Sequence, residues 1–183
     1  MDTKKRRILM SLCGVIVCAV SVGIFKIAAL GVDPFQSLMN GLDKLIPISF
    51  GTLYVIVNLL LLSFSLIVDR SKIGLATFIN LFLLGYITEY TYNFLQTVFV
   101  APSMITRVLC LLVGIVIICF GSALYMTADL GVSTYDAIAI ALAGKWKVAP
   151  FQYCRIATDV VCVVSGCVLF LLAGGTIGAI PTI

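Results

Sequence analysis

The chain has 183 residues, of which 62% are apolar and only 11% charged, with a mean hydropathy of +1.19 and a net charge of +4. Soluble domains carry roughly a quarter charged residues, so a fold in water is excluded and lipid is the solvent that suits this chain. Histidine is absent, which removes the commonest general base and metal ligand and argues against an enzyme.

The first element opens with Lys4-Lys5-Arg6-Arg7, followed by an apolar run from Ile8 to about Ala29 that only Lys26 interrupts. A charged start before an apolar run is also the pattern of a signal peptide. This run is longer than a signal's apolar core, and about 20 residues are enough to cross a bilayer. It reads as a retained transmembrane helix. Gly31 offers a stop. Asp33 is a good N-cap, and Pro34 at the first helical position loses no needed hydrogen bond. A short helix is expected from Phe35 to Leu45, ended by Pro47. Phe35, Leu38, Leu42 and Leu45 share one face of it, with Gln36, Asn40 and Asp43 elsewhere. It is too short and too polar to span, and is expected to lie along the interface or dip part of the way in.

A second spanning helix is expected from about Gly51 to Val68, apolar except for Asn58. Asp69-Arg70-Ser71-Lys72 makes a polar turn. A third helix starts at Ile73, carries Asn80 and reaches Glu89 near its far end, where Tyr86, Tyr90 and Tyr92 cluster as aromatic residues do at a membrane surface. Ala101-Pro102-Ser103 breaks the chain. A fourth helix covers about Arg107 to Thr127. A Leu130-Gly131-Val132 turn follows, with Ser133 or Thr134 as the cap of a short helix from Tyr135 to Ala143 that ends at Gly144. Lys145-Trp146-Lys147 reads as an interface anchor. A fifth helix runs from about Phe151 to Ala173. Thr176-Ile177-Gly178 echoes Lys72-Ile73-Gly74, so a sixth helix is expected to begin where these residues stop.

The order of elements repeats, and so do residues. Ala29-Leu30-Gly31-Val32-Asp33-Pro34-Phe35 aligns with Asp129-Leu130-Gly131-Val132-Ser133-Thr134-Tyr135. In the same register Arg7, Gly14 and Ala28 meet Arg107, Gly114 and Ala128. This is a duplicated unit. The fold expected is an all-α, polytopic transmembrane bundle forming a single membrane domain over 1–183. One repeat covers about 7–100 and a second, incomplete one about 107–183, giving five full spans plus short interfacial or re-entrant helices. Lys and Arg favour cytoplasmic loops. With the N-terminus inside, the inner segments carry Lys4, Lys5, Arg6, Arg7, Arg70, Lys72, Lys145 and Lys147, against Lys44, Arg107 and Lys26 towards the outside. Three spans per unit is an odd number, so the second unit enters from the opposite side. The two are then inverted repeats, an arrangement many secondary transporters share, with a site near the midplane between the halves.

Asp159 lies about eight residues into the fifth helix, roughly 12 Å along its axis. A carboxylate there is costly and points to an ion or substrate path. Its partner is either Arg155, one turn earlier on the same face, or Asn58 from the other repeat; a purely structural Arg155–Asp159 pair is the competing reading. Asn58 and Asn80 serve the path or act as hydrogen-bonding glue between helices. Asp33 with Pro34, and Ser133 with Asp136, are helix caps that could also form gates or bind anions, with Gln36 and Asp136 at matched positions. The seven cysteines lie in or beside apolar runs without a Cys-x-x-Cys pair, and read as small apolar residues rather than metal ligands. No catalytic residue, metal site or cofactor site is expected.

The two Leu-Gly turns that each start a short helix, the polar residue central to the following helix and the Ile-Gly opening of the third resemble the YczE/YyaS/YitT group of bacterial integral membrane proteins. The likeness is to the YczE-like branch, where a Leu-Gly-x-x-Pro-aromatic segment follows the first helix. Leu30-Gly31-Val32-Asp33-Pro34-Phe35 carries it here, whereas the second copy lacks the proline. The resemblance implies the bacterial cytoplasmic membrane. The function expected is transport of a small molecule or ion, the alternative being a non-transporting membrane accessory or regulatory protein. The partners implied are the lipid bilayer, the unknown small molecule or ion and, as an open alternative, further copies of the chain, but no nucleic acid.

Overall fold

The computed structural model describes residues 3–31, 33–68, 73–144 and 146–175. Among the described residues the chain forms seven α-helices and no strand. They are α1 (Thr3–Ala28), α2 (Pro34–Leu45), α3 (Phe50–Val68), α4 (Leu75–Val98), α5 (Met104–Ala128), α6 (Thr134–Gly144) and α7 (Phe151–Leu172). Four of them, α1, α3, α5 and α7, are long and apolar enough to cross a membrane. α4 is 24 residues long, but Asn80, Glu89 and its tyrosines dilute its apolar character, so four of the five expected spans meet that standard. The expected turn at Asp69–Lys72 and the expected sixth helix from Thr176 lie outside the described residues, as does Lys145.

Two helices begin earlier than their apolar runs. α1 takes in Lys4 to Arg7, which are good helix formers. α5 starts at Met104 because the Ser103 hydroxyl caps it, accepting from the Thr106 N–H at 3.3 Å. α1 and α5 end alike, on residues in the left-handed region: Ala29 at φ 49° and Asp129 at φ 47°.

The central seam is α1 against α5, running antiparallel. Arg7, at the start of α1, donates through Nε to the Ala128 carbonyl at 2.7 Å and through a second nitrogen to the Asp129 carboxylate at 3.0 Å, so it caps the far end of α5. Ser21 donates to the Gly114 carbonyl at 2.7 Å. Glycines let the backbones close up, as in many membrane helix pairs. A methyl group on Gly14 would lie 2.7 Å from the Tyr125 nitrogen, and one on Gly114 would lie 2.5 Å from the Phe25 ring. α4 packs on the other side of α1 and runs parallel to it: Thr88 donates to the Ala19 carbonyl at 3.2 Å, and Gly23 sits against Thr91. α3 and α4 form an antiparallel pair in which Gly85 meets Tyr54 and Gly51 meets Tyr86. Glu89 accepts from the Gly51 N–H at 2.8 Å, supplying negative charge at the start of α3.

The two short helices both engage the interior of the bundle. Thr134, the first residue of α6, donates to Asn58 in the middle of α3, while Trp146, just past its end, meets Phe64 near the end of α3. Phe35, the second residue of α2, packs edge-on to Tyr54 at 5.8 Å, and Lys44 at the other end of α2 lies 4.1 Å from the Phe170 ring, near the end of α7. Both short helices therefore start in the middle of the bundle and leave it in opposite directions. The chain returns from the end of α5 to the start of α6 through the segment Asp129–Ser133. This segment runs beside the first turns of α4: the Leu130 carbonyl accepts from the Ala76 N–H at 3.1 Å, and Thr77 donates to the Val132 carbonyl at 2.6 Å. These bonds satisfy groups that a helix start and an extended chain would otherwise leave bare in lipid.

α2 starts inside the bundle and packs along α7. Its buried face is Phe35, Gln36, Ser37, Met39 and Gly41, whereas Leu45 is exposed. α2 packs against α7 through small residues: a methyl group on Gly41 would lie 2.4 Å from the Gly166 carbonyl oxygen. Leu38 and Leu42 are partly buried against the core.

Candidate functional site

Each short helix is capped by its own sequence. Asp33 Oδ1 accepts from the Phe35 and Gln36 N–H groups, each at 3.1 Å, and Pro34 occupies the first turn. Ser133 accepts from the Asp136 N–H at 3.1 Å and donates to the Asp136 carboxylate at 2.7 Å. The two capped starts face one another across stacked rings, Phe35 and Tyr135, whose centroids are 5.2 Å apart.

Between these starts and the α1–α5 seam lies a cavity of about 180 Å³. Asp33 and Gln36 reach it from one half of the chain, and Ser133, Asp136 and Arg155 from the other. Asn58 and Asn80 also line it, with Phe35, Tyr54, Tyr125 and Tyr135 as aromatic walls. A larger hollow of about 480 Å³ adjoins it, sharing Tyr125, Met126 and Asp136, and is otherwise walled by Ile73, Gly74 and the segment Asp129–Val132. Since Arg7 at the start of α1 binds Asp129, this hollow lies towards that end of the bundle.

The charges form a chain of contacts. Arg155 bonds to Asp136 and lies 3.4 Å from Asp159, while its guanidinium covers the Tyr135 ring at 4.5 Å. Tyr135 in turn donates to Asp159 at 2.5 Å. A charged group inside a bundle needs such partners, because it has lost its water. The polar residues on α3 and α4 are linked separately. Asn58, only 2% exposed, donates to the Tyr54 carbonyl at 2.8 Å and accepts from Thr134, and Tyr54 donates to Asn80 at 3.2 Å. Two polar atoms at the cavity remain without a partner: Gln36 Oε1 and the Tyr125 hydroxyl. Among the described residues no group of three or more His, Cys, Asp or Glu side chains is set to hold a metal ion.

The residues singled out from sequence thus fall into two groups. Asp33, Asn58, Asn80, Ser133, Asp136 and Arg155 converge on one cavity. Asp159 stands behind Tyr135 and Arg155, outside the cavity lining, and Pro34 acts only in the turn that presents Asp33. Of the two partners considered for Asp159, the structure supplies Arg155, while Asn58 is engaged with Tyr54 and Thr134. Sequence reasoning missed the roles of Tyr54, Tyr125 and Tyr135. The pairing of Phe35 with Tyr135 at matched positions was a usable signal for one of them. Phe25 and Tyr125 are matched in the same way, but that Tyr125 faces the cavity depends on how α1 and α5 cross.

Comparison with known proteins adds a family. The profile of a family of unknown function, DUF6198, matches residues 5–183. The chain is also similar to the "Uncharacterized protein YyaS" of Bacillus subtilis (strain 168), with 24% identity over 127 residues, 69% of this chain. The match spans 63% of the length of that relative. No solved structure matches the chain.

Proposed function

We infer that this chain, which belongs to the family of unknown function DUF6198, is a carrier of a small molecule or ion, with its site in the central cavity. The observation that carries this reading is a polar hollow in the middle of an apolar bundle, lined from both halves of the chain at the starts of two half-length helices. Discontinuous helices that meet at mid-bundle are a recurrent way to build a transporter site, because irregular backbone is tolerated there only where protein or a cavity satisfies it. The adjoining larger hollow supports access from one face.

The reading includes two inverted repeats with an axis in the membrane plane. It is supported by the reciprocity of the seam, where Gly14 meets Tyr125 as Gly114 meets Phe25, and by the opposite courses of α2 and α6. It also includes α4 as a fifth span, a cytoplasmic N-terminus in the bacterial inner membrane and no enzymatic activity. The basic residues Lys4 to Arg7 at the start of α1 support that orientation. The bilayer is its first partner, and self-association remains part of the proposal to be tested.

A second reading is a membrane accessory that does not transport. It draws on an apolar crevice of about 400 Å³ lined by Leu38, Leu61, Ile138, Leu142 and Val161, which could seat another membrane helix. Proteoliposome flux separates the two. Vesicles challenged with gradients of methylammonium, sodium and formate salts are expected to show flux of at least one of them, reduced about tenfold or more by Asp136→Asn. Flux indistinguishable from empty vesicles for all three would favour the accessory role. Flux unchanged by Asp136→Asn and by Asp33→Asn would remove this cavity as the site.

A further inference from the structure

The central cavity has a chemical preference that can be read from which of its groups are already engaged. The N–H groups that open α2 bond to Asp33, and Ser133 takes the Asp136 N–H at the start of α6. An anion arriving there would find these donors taken, and would meet the Asp33 and Asp136 carboxylates. Arg155, the guanidinium lining the cavity, is held by Asp136 and Asp159. The unspent groups favour the opposite charge. Gln36 is 3% exposed, and its carbonyl oxygen has no partner; Tyr125 is 8% exposed, and its hydroxyl has none either. Both line the cavity. An unpartnered buried acceptor is costly until something donates to it. Both hydrogen bonds to Asp33 go to Oδ1, which leaves its second oxygen for a ligand. The walls also carry the rings of Phe35 and Tyr54 among aliphatic side chains, and aromatic faces attract cations; the Tyr135 ring is already taken by Arg155 and Phe35.

We propose that the cavity binds a small organic ammonium ion, whose N–H groups are received by Gln36 Oε1, Tyr125 and Asp33 and whose alkyl part lies against the aromatic rings. A volume of about 180 Å³ limits the ligand to a few heavy atoms. A bare metal ion would use the oxygens but not the rings. This proposal rests on the reading that the cavity is a ligand site, and goes beyond it in naming the class.

The test is calorimetric titration of the full chain in nanodiscs with methylammonium chloride, and separately with sodium chloride and sodium formate. Saturable binding is expected for methylammonium alone. Gln36→Leu should weaken it about tenfold or more, as loss of a hydrogen bond to a charged group does. Tyr125→Phe, which removes one hydroxyl and keeps the ring, should weaken it about threefold to tenfold on the same basis. The thermal melting temperature of each variant reports whether it has folded. No binding of methylammonium to the unmodified chain, as for a cavity that holds only water, would overturn the proposal. So would equal binding by Gln36→Leu and Tyr125→Phe, or saturable binding of sodium or formate in its place. Methylammonium bound, with none of the three ions carried across proteoliposomes, would end the carrier reading and leave this one standing. Carriage of formate without methylammonium binding would do the reverse.

Discussion

Gly131 shows how much one residue can decide. It lies at φ +116°, in a region that side chains rarely adopt, and a methyl group there would stand 2.6 Å from the Gly74 nitrogen. Both effects come from bringing the chain back into the bundle beside α4. Gly131→Ala is therefore expected to cost about 1–3 kcal/mol, seen as a lower melting temperature of the detergent-solubilised protein. A melting temperature equal to that of the parent would mean that this segment does not hold the described path. Asp33 offers a finer contrast. Asp33→Asn keeps an oxygen for the Phe35 and Gln36 N–H groups, whereas Asp33→Ala removes it, so Ala should be less stable than Asn by about 1 kcal/mol in the same melt. Equal stability would mean that capping is not what Asp33 contributes. The cap was legible in Asp33-Pro34 because it is a local matter of three residues. The burial of Gln36 was not, because it depends on how deep α2 begins, and no residue near Gln36 encodes depth.

At the level of elements, small residues decide which helices touch. α1 meets α5 at Gly14, Gly114 and Gly121, and α2 meets α7 at Gly41 and Gly166, where an added methyl group would fall within 3.0 Å of a neighbour in every case. Gly144, at the end of α6, has nothing within 4 Å. Gly14→Val and Gly41→Val are each expected to destabilise by about 1–3 kcal/mol through overpacking, while Gly144→Ala leaves the melt within about 0.5 kcal/mol, as surface changes do. If Gly144→Ala proved as harmful as Gly41→Val, the glycines would be acting through chain flexibility rather than close approach. The extents of the long helices were legible in the sequence, since length and apolar composition settle them. Which residues of α2 are most buried was not: Phe35, Leu38 and Leu42 lie in or against the core while Leu45 is exposed, and Gln36 is buried, because the glycine seam with α7 also selects what is covered. Lipid, unlike water, gives a leucine no reason to turn inward.

The whole molecule is a question of which end is which. Arg7 holds Asp129 at one end of the α1–α5 seam, and Lys26, Ala101 and Arg107 share a hollow of about 430 Å³ at the other. α1 has 26 residues, about 39 Å at 1.5 Å per residue, which exceeds a hydrocarbon core of about 30 Å. The two ends must then emerge on opposite faces if α1 crosses once. The duplication in sequence, through Leu30-Gly31-Val32 and Leu130-Gly131-Val132, is what the proposed inverted arrangement is read from. What a repeat could not convey is that α2 and α6 both begin in the middle of the bundle, because it reports equivalence and not depth. In the orientation proposed, which the basic residues Lys4 to Arg7 support, the start of α1, and with it Asp129, faces the cytoplasm. Two single cysteines test both claims, introduced into a chain whose seven native cysteines have been replaced by alanine. Asp129→Cys, where the side chain is 92% exposed, should react with a membrane-impermeant maleimide only in inside-out vesicles. Val100→Cys, between α4 and α5 and 81% exposed, should react only in intact cells stripped of their outer barrier. The reverse pattern would keep the inverted architecture and flip it in the membrane. Labelling of both positions from one face would end it, since α5, whose two ends they flank, would then not cross the bilayer.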